Sequence, residues 1–371
     1  MKAVIKEFPR KGGCRVVDDR PRPTPGAGEV LVRVKATAIC GTDKHIYNWD
    51  ESMAKAVAPL PYVPGHEFCG EIFALGPGVQ GWHVGEYVSA EMHVVSPDSR
   101  QTRTGNGHVC PKTRILGIHA DGCFAEYVVV PASNVIRLDR KRVPLNVGAF
   151  LDALGNAVHT CFKVPLAGKR VLVLGYGPIG AMCAAIAHFV GAQTIYITDV
   201  QAPALERAEK WAHGARALAG KSRDIPITVL STRGSDREQT VARIRSETDG
   251  GVDVALEISG HPNAINDGLS ATDHGGDVVL LGIPSSQAIT LEHYQKDLIF
   301  RGLTLHGIIG RRMYETWHQM LGLLGAGLRV EHIADLTVPL DGFEDAMAKF
   351  SASACQKAVL YPDPAYAAIP L

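Results

Sequence analysis

Long apolar runs are missing from this chain. Across 371 residues no stretch approaches the ~20 consecutive apolar positions that a membrane-spanning helix needs. The N-terminal MKAVIKEFPRKGG carries no apolar signal core either, so the expectation is a soluble, cytoplasmic protein. An excess of one charge is also missing. Lys plus Arg and Asp plus Glu both number 38, the formal net charge is zero, and no long basic block interrupts the sequence. Nucleic acid and anionic membrane are therefore excluded as expected partners. The eight cysteines (Cys14, Cys40, Cys69, Cys110, Cys123, Cys161, Cys183 and Cys355) contain no CxxC pair. That argues against a disulfide scaffold and against a closed four-cysteine zinc knuckle. Cys161 and Cys183 lie in apolar surroundings and read as small packing residues.

What is abundant is glycine, at 39 residues, as expected where strands turn sharply into helices around a ligand. The length suffices for two domains, each burying its own core. Up to about Asn156, short alternating runs such as EVLVRVKATAI and GCFAEYVVVP are broken by Gly and Pro, which reads as a β-rich domain. Beyond it, VLVLG, TIYITDV, ITVLS, VDVALEIS, DVVLLGI and LTLHGIIG alternate with helical stretches such as APALERAEKWAHG. That alternation predicts a doubly wound parallel sheet with crossover helices, so the fold class is α/β.

Two motifs carry chemistry. Cys40 in AICGTDKH and His66-Glu67 in PGHEFCGE supply a thiolate, an imidazole and a carboxylate beside glycine turns, a donor set suited to zinc. Either Cys40 or His66 alone fits a packed core residue equally well. The second motif is VLVLGYGPIG, an apolar strand opening into Gly175, Gly177, Pro178, Ile179 and Gly180, then a small-residue helix. The first glycine permits a tight turn, the second lets a pyrophosphate approach, and the third lets helix and strand pack closely. A following strand ends at Asp199, where a carboxylate would accept hydrogen bonds from an adenosine ribose. No Arg or Lys occupies positions 200–203 to receive a 2'-phosphate, which favours NAD over NADP.

Zinc donors N-terminal to a dinucleotide fold resemble the zinc-dependent medium-chain alcohol dehydrogenases. Within that superfamily AICGTDKHIYNWDE, PGHEFCGE, GCFAEYVVVPA, ALGNAVHT, ITDV and GIIGRRMYETW are similar to the L-threonine 3-dehydrogenases over nearly the whole length. The resemblance implies a discontinuous, β-rich GroES-like catalytic domain, 1–156 with 309–371, and a Rossmann NAD-binding domain, 157–308, with the chemistry in the cleft between them. It implies one catalytic zinc on Cys40, His66 and Glu67, with Asp152 supplying a further carboxylate. Asp152 fits a capping or turn role before LGNAVHT as well. Thr42 and His45 match a proton relay of hydroxyl and imidazole. His93 matches a histidine beside the substrate, Glu257 lies at the cleft end of the sheet, and Ile283 and Ile308 complete the cofactor contacts.

The implied reaction is oxidation of the 3-hydroxyl of L-threonine to 2-amino-3-oxobutanoate, with hydride transfer to NAD, by a homotetramer. Another amino alcohol or a polyol as substrate remains open, as does a non-catalytic nucleotide-binding protein of the same fold. One departure stands out. The superfamily commonly holds a second, structural zinc with four cysteines before the GCFAEY segment, and here Ser96, Ser99 and Thr102 fall at three of those positions, leaving Cys110. The expectation is that this structural zinc is absent. The turn-rich segment 221–236 is longer than in the resembled family and has no assigned role.

Overall fold

In the computed structural model, which describes residues 1–219, 225–234 and 236–367, short strands separated by Gly and Pro dominate the N-terminal part. Strands β1 (Ala3–Lys6) and β2 (Cys14–Val17) form an antiparallel ribbon. Next come β3 (Glu29–Ala38), helix α1 (Gly41–Asn48), β4 (Phe68–Leu75), β5 (Tyr87–Ala90) and β6 (His93–Val94). These are followed by β7 (Arg114–Ile115), β8 (Tyr127–Pro131), β9 (Val135–Arg137) and helix α2 (Leu151–Cys161). β3 is the organising strand. It pairs antiparallel with both β4 and β8, and Val30, Val32 and Val34 on it pack against Phe68, Ile72, Val88 and Val128. Each fully buried side chain of this size contributes roughly 1.5–3 kcal/mol.

The chain then changes period. Strands β10 (Arg170–Leu174), β11 (Thr194–Asp199), β12 (Ile227–Ser231), β13 (Val252–Glu257), β14 (Thr272–Leu280) and β15 (Thr304–Gly307) form a parallel sheet in the order β12-β11-β10-β13-β14-β15. Helices α3 (Pro178–Phe189), α4 (Ala202–Ala219), α5 (Asp236–Glu247) and α6 (Pro262–Ala271) make the crossovers. Strand order reverses on either side of β10, the topological switch point beside which such sheets bind ligands. Val171 to Leu174 are at most 1% exposed, as a strand covered on both faces requires.

After β15 the chain returns to the first sheet through α7 (Glu315–Gly325), β16 (Leu336–Pro339), α8 (Phe343–Ser351) and β17 (Ala358–Tyr361). β17 pairs antiparallel with β3 at Val359↔Ala38 and Leu360↔Thr37, and β16 extends the sheet in parallel. Leu360 and Phe343 join Ile5, Ile39 and Phe124 in one core. The chain thus divides into two compact units, Met1–Gly155 with Arg311–Leu371, and Asn156–Gly310. Of the elaborated segment 221–236, residues 221–224 and 235 lie outside the described residues. No helix among the described residues is long and apolar enough to cross a membrane.

Candidate metal and cofactor sites

Cys40 ends the turn after β3 and opens α1, where its amide donates to the Asp43 carboxylate at 2.8 Å. Gly65 precedes His66 with φ of +96°, and a Cβ there would stand 2.5 Å from the Phe124 ring, so this bend has room only for glycine. These two turns bring the ligand atoms of Cys40, His66 and Glu67 within 4.8 Å of one another. His66 and Glu67 are buried, with Asp43 Oδ1 3.6 Å from His66 Nδ1 and Lys357 Nζ 2.6 Å from Glu67 Oε2. Glu67 Oε1 has no hydrogen-bond partner. A buried carboxylate oxygen without a partner, beside a thiol and an imidazole, is a costly arrangement that a divalent cation relieves. The donor set therefore fits zinc. Burial and the Glu67 charge push the Cys40 thiol up, while burial opposes charging of His66 but the Asp43 and Cys40 charges hold it well above its usual value.

Asp152, in the first turn of α2, is not one of the three converging residues, although its charge is felt at both His66 and Glu67. Its Oδ1 pairs with Arg311 Nη1 at 2.7 Å. The same guanidinium pairs with Glu91 and lies 3.0 Å from His93 Nδ1. Glu91 also accepts from Trp317 Nε1 at 2.9 Å and contacts His93 Nδ1 at 2.7 Å. Burial alone would push Glu91 up, but the Arg311 charge and the His93 contact outweigh it and hold the carboxyl well below its ordinary range. Thr42 and His45 sit three apart on α1, hence on neighbouring turns of one face. His45 is more than half exposed and its Nδ1 lies 2.5 Å from Asp50 Oδ2.

At the glycine loop, Gly175 has φ of +97°, and a Cβ on Gly180 would stand 1.9 Å from the Gly175 carbonyl oxygen. Gly177, the residue capping α3 ahead of Pro178 and Ile179, is different: no heavy atom lies within 4 Å of its hypothetical Cβ. That open space over a helix N-terminus fits a dinucleotide pyrophosphate. Asp199 ends β11, where its carboxylate accepts from the Tyr176 amide at 2.7 Å and the Gln201 amide at 2.8 Å. The acidic residue thereby ties the glycine loop to the second strand. Glu257 is fully buried and accepts from Ser259 Oγ and the Gly260 amide, organising the loop after β13. Ile283 is 81% exposed, whereas Ile308 is buried at 8%.

In the lobe between β6 and β7, Ser99 Oγ donates to Thr102 Oγ1 at 2.9 Å and caps the turn at the Thr102 amide. Hydrogen bonding from Ser99, with help from the Lys112 and Ser96 backbone and Thr102, lowers the Cys110 thiol to about 7. Two hydroxyls, of Ser99 and Thr102, and the Ser96 backbone thus gather about one sulfur. Neutral hydroxyls are poor zinc donors, so these residues do not fit a closed tetrahedral site. Among the described residues, Cys40, His66 and Glu67 form the only group of three or more candidate metal donors.

The residues that motif reading passed over are Asp43, Glu91, Arg311, Trp317 and Lys357. Of these, Lys357 has a sequence signal, a charge directly ahead of the apolar AVLY.

A GroES-like β unit bearing a thiol, imidazole and carboxylate cluster, together with a doubly wound sheet bearing a glycine loop, defines a class. Residues 26–140 match the alcohol dehydrogenase GroES-like domain family and residues 178–326 match the zinc-binding dehydrogenase family. The chain belongs to the zinc-binding alcohol dehydrogenases and is an oxidoreductase. It is 40% identical, over 98% of its length and 99% of the relative's, to L-threonine 3-dehydrogenase of Caldanaerobacter subterraneus subsp. tengcongensis. Among solved structures it resembles a zinc-binding dehydrogenase from Sinorhizobium meliloti 1021 bound to NADP, at 25% identity and a TM-score of 0.80, covering 97% of this chain and 99% of that one. It also resembles an alcohol dehydrogenase from E. coli CFT073 complexed with NADH, at 25% identity, a TM-score of 0.82 and the same coverage.

Proposed function

We propose that this dehydrogenase oxidises the 3-hydroxyl of L-threonine to 2-amino-3-oxobutanoate and passes the hydride to NAD. The observation that carries the reading is the convergence of Cys40, His66 and Glu67 in a chain 40% identical over nearly its full length to a threonine 3-dehydrogenase. Cys40, His66 and Glu67 would hold one zinc per chain, with the lobe around Cys110 holding none. Zinc at such a site supplies the positive charge that makes an alcohol proton removable near neutral pH.

The remaining work falls to the chain's own groups. Thr42 provides a hydroxyl and His45 a ring that reaches solvent, so a proton leaving the substrate passes from one to the other along a single face of α1. Asp50 at His45 Nδ1 fixes the ring and leaves Nε2 to exchange with water. His93 offers a polar contact to the substrate. Gly177 leaves room for the pyrophosphate, and Asp199 disfavours a 2'-phosphate by repulsion, which supports NAD as the acceptor. The test is a substrate panel at fixed NAD: threonine, serine, 2,3-butanediol and sorbitol. Threonine should give the highest kcat/KM. A polyol exceeding it tenfold would overturn the assignment.

A further inference from the structure

A buried ion cluster in the first unit is not accounted for by metal binding, proton relay or cofactor binding. Arg311 is 1% exposed at its side chain, and so is Glu91. One guanidinium serves two carboxylates, Glu91 and Asp152, so among these three groups negative charge exceeds positive by one. Such a cluster is a poor way to gain stability, since well-packed apolar side chains of similar volume usually do as well or better. The fold also accommodates the arginine at a local cost. At Gly155, inside α2, a Cβ would stand 2.2 Å from Arg311 Cδ, so the helix carries glycine where the arginine passes, at roughly 1 kcal/mol relative to alanine.

Both ends of the cluster are candidate site residues. Asp152 is held through Arg311 Nη1, which also contacts the Asp152 carbonyl oxygen at 3.3 Å. His93 is held at Nδ1, 2.7 Å from Glu91 Oε1 and 3.0 Å from Arg311 Nη2. An ionised carboxylate only accepts, so the shorter contact places the ring proton on Nδ1 and leaves Nε2 as the acceptor; Arg311 Nη2 then donates to Glu91 and only packs against Nδ1. An acceptor nitrogen beside two carboxylates and one guanidinium accepts from either an ammonium or a hydroxyl, and the excess negative charge favours the ammonium.

We propose that Arg311 and Glu91 are positioning and specificity residues: together they fix His93 and Asp152 relative to one another and select an alcohol that bears an ammonium group. The proposal rests on the threonine reading above and names the device by which that substrate class is recognised. Neither residue touches the reacting atoms; both act through His93 and Asp152.

The test uses the zinc-loaded enzyme with Glu91→Gln, which removes the excess negative charge at constant volume, and Arg311→Lys, which can pair with only one carboxylate. Both are assayed with threonine as substrate and with 3-hydroxybutanoate, which is threonine without its ammonium, as inhibitor. In both variants KM for threonine should rise about tenfold, with kcat falling less, KM for NAD staying within twofold, and inhibition by 3-hydroxybutanoate unchanged or tighter. A purely structural role predicts that threonine, 3-hydroxybutanoate and NAD weaken together. That outcome, an unchanged KM for threonine, or failure of both variants to fold would overturn the proposal. Absence of threonine oxidation by the wild type would instead overturn the function on which it rests.

Discussion

Gly177, which caps α3, and Gly180, in its first turn, sit three residues apart, and the structure assigns them opposite sensitivities to a single methyl group. At Gly180 a Cβ would stand 1.9 Å from the Gly175 carbonyl oxygen, against the ~3.3 Å or more of even close carbon–oxygen contacts. The neighbour is backbone in a tight turn, so helix and strand must separate by more than 1 Å on this ~3.3 Å standard. Overpacking of that kind costs about 1–3 kcal/mol, which lowers the melting midpoint by several degrees for a unit of this size. At Gly177 the methyl meets nothing within 4 Å, and φ of −69° is open to any residue. Gly177→Ala should therefore leave apo stability unchanged or raise it by about 0.4–1 kcal/mol through loss of unfolded-state freedom. Its effect falls on the ligand. A methyl where a pyrophosphate must touch backbone should weaken NADH binding at least tenfold, or about 1.4 kcal/mol. Differential scanning fluorimetry of the apo protein and fluorescence titration with NADH separate the two effects. If Gly177→Ala binds NADH as tightly as wild type, the space above Gly177 is not where the dinucleotide lies.

Asp199→Ser should relax the preference for NAD over NADP, and because the carboxylate also accepts from the Tyr176 and Gln201 amides, it should lower the apo melting midpoint as well. A wild type that already prefers NADP in kcat/KM would contradict this account of Asp199. The Cys110 thiol, lowered to about 7, is mainly thiolate above that pH. Cys110 is only 6% exposed, so its alkylation by iodoacetamide should be slow, but followed by peptide mass mapping it should reach half-maximal rate near pH 7 rather than the ~8.5 of a free cysteine. Ser99→Ala, which deletes the principal hydrogen bond, should move that midpoint upward, and an unmoved midpoint would show that Ser99 does not set it.

Local chemistry was legible in the sequence, and long-range pairing was not. The strand, glycine turn and helix at 171–189 follow from apolar residues and glycines within a few positions of each other, and the turns that gather Cys40, His66 and Glu67 are similarly marked by neighbouring glycines. Asp199 was legible as a strand-end acid, but its grip on the Tyr176 amide depends on the register of β10 against β11. Glu91, Asp152 and Arg311 are far apart in sequence and individually resemble surface charges; only the return of the chain after β15 closes the cluster. Lys357 has the same history, because β17 must pair with β3 before its ammonium can reach Glu67. Motifs expose groups that bind ligands through nearby backbone, whereas groups that hold those ligands in place are recruited by tertiary pairing.

The central claim, that a single zinc on Cys40, His66 and Glu67 supports threonine oxidation, is tested most directly by adding zinc back to chelator-stripped enzyme. Threonine-dependent NADH formation should rise linearly with added zinc and reach its plateau at one equivalent per chain. Elemental analysis of Cys40→Ser should find that equivalent gone. Full activity in the stripped enzyme, or a second tightly held equivalent that survives Cys40→Ser, would contradict the account.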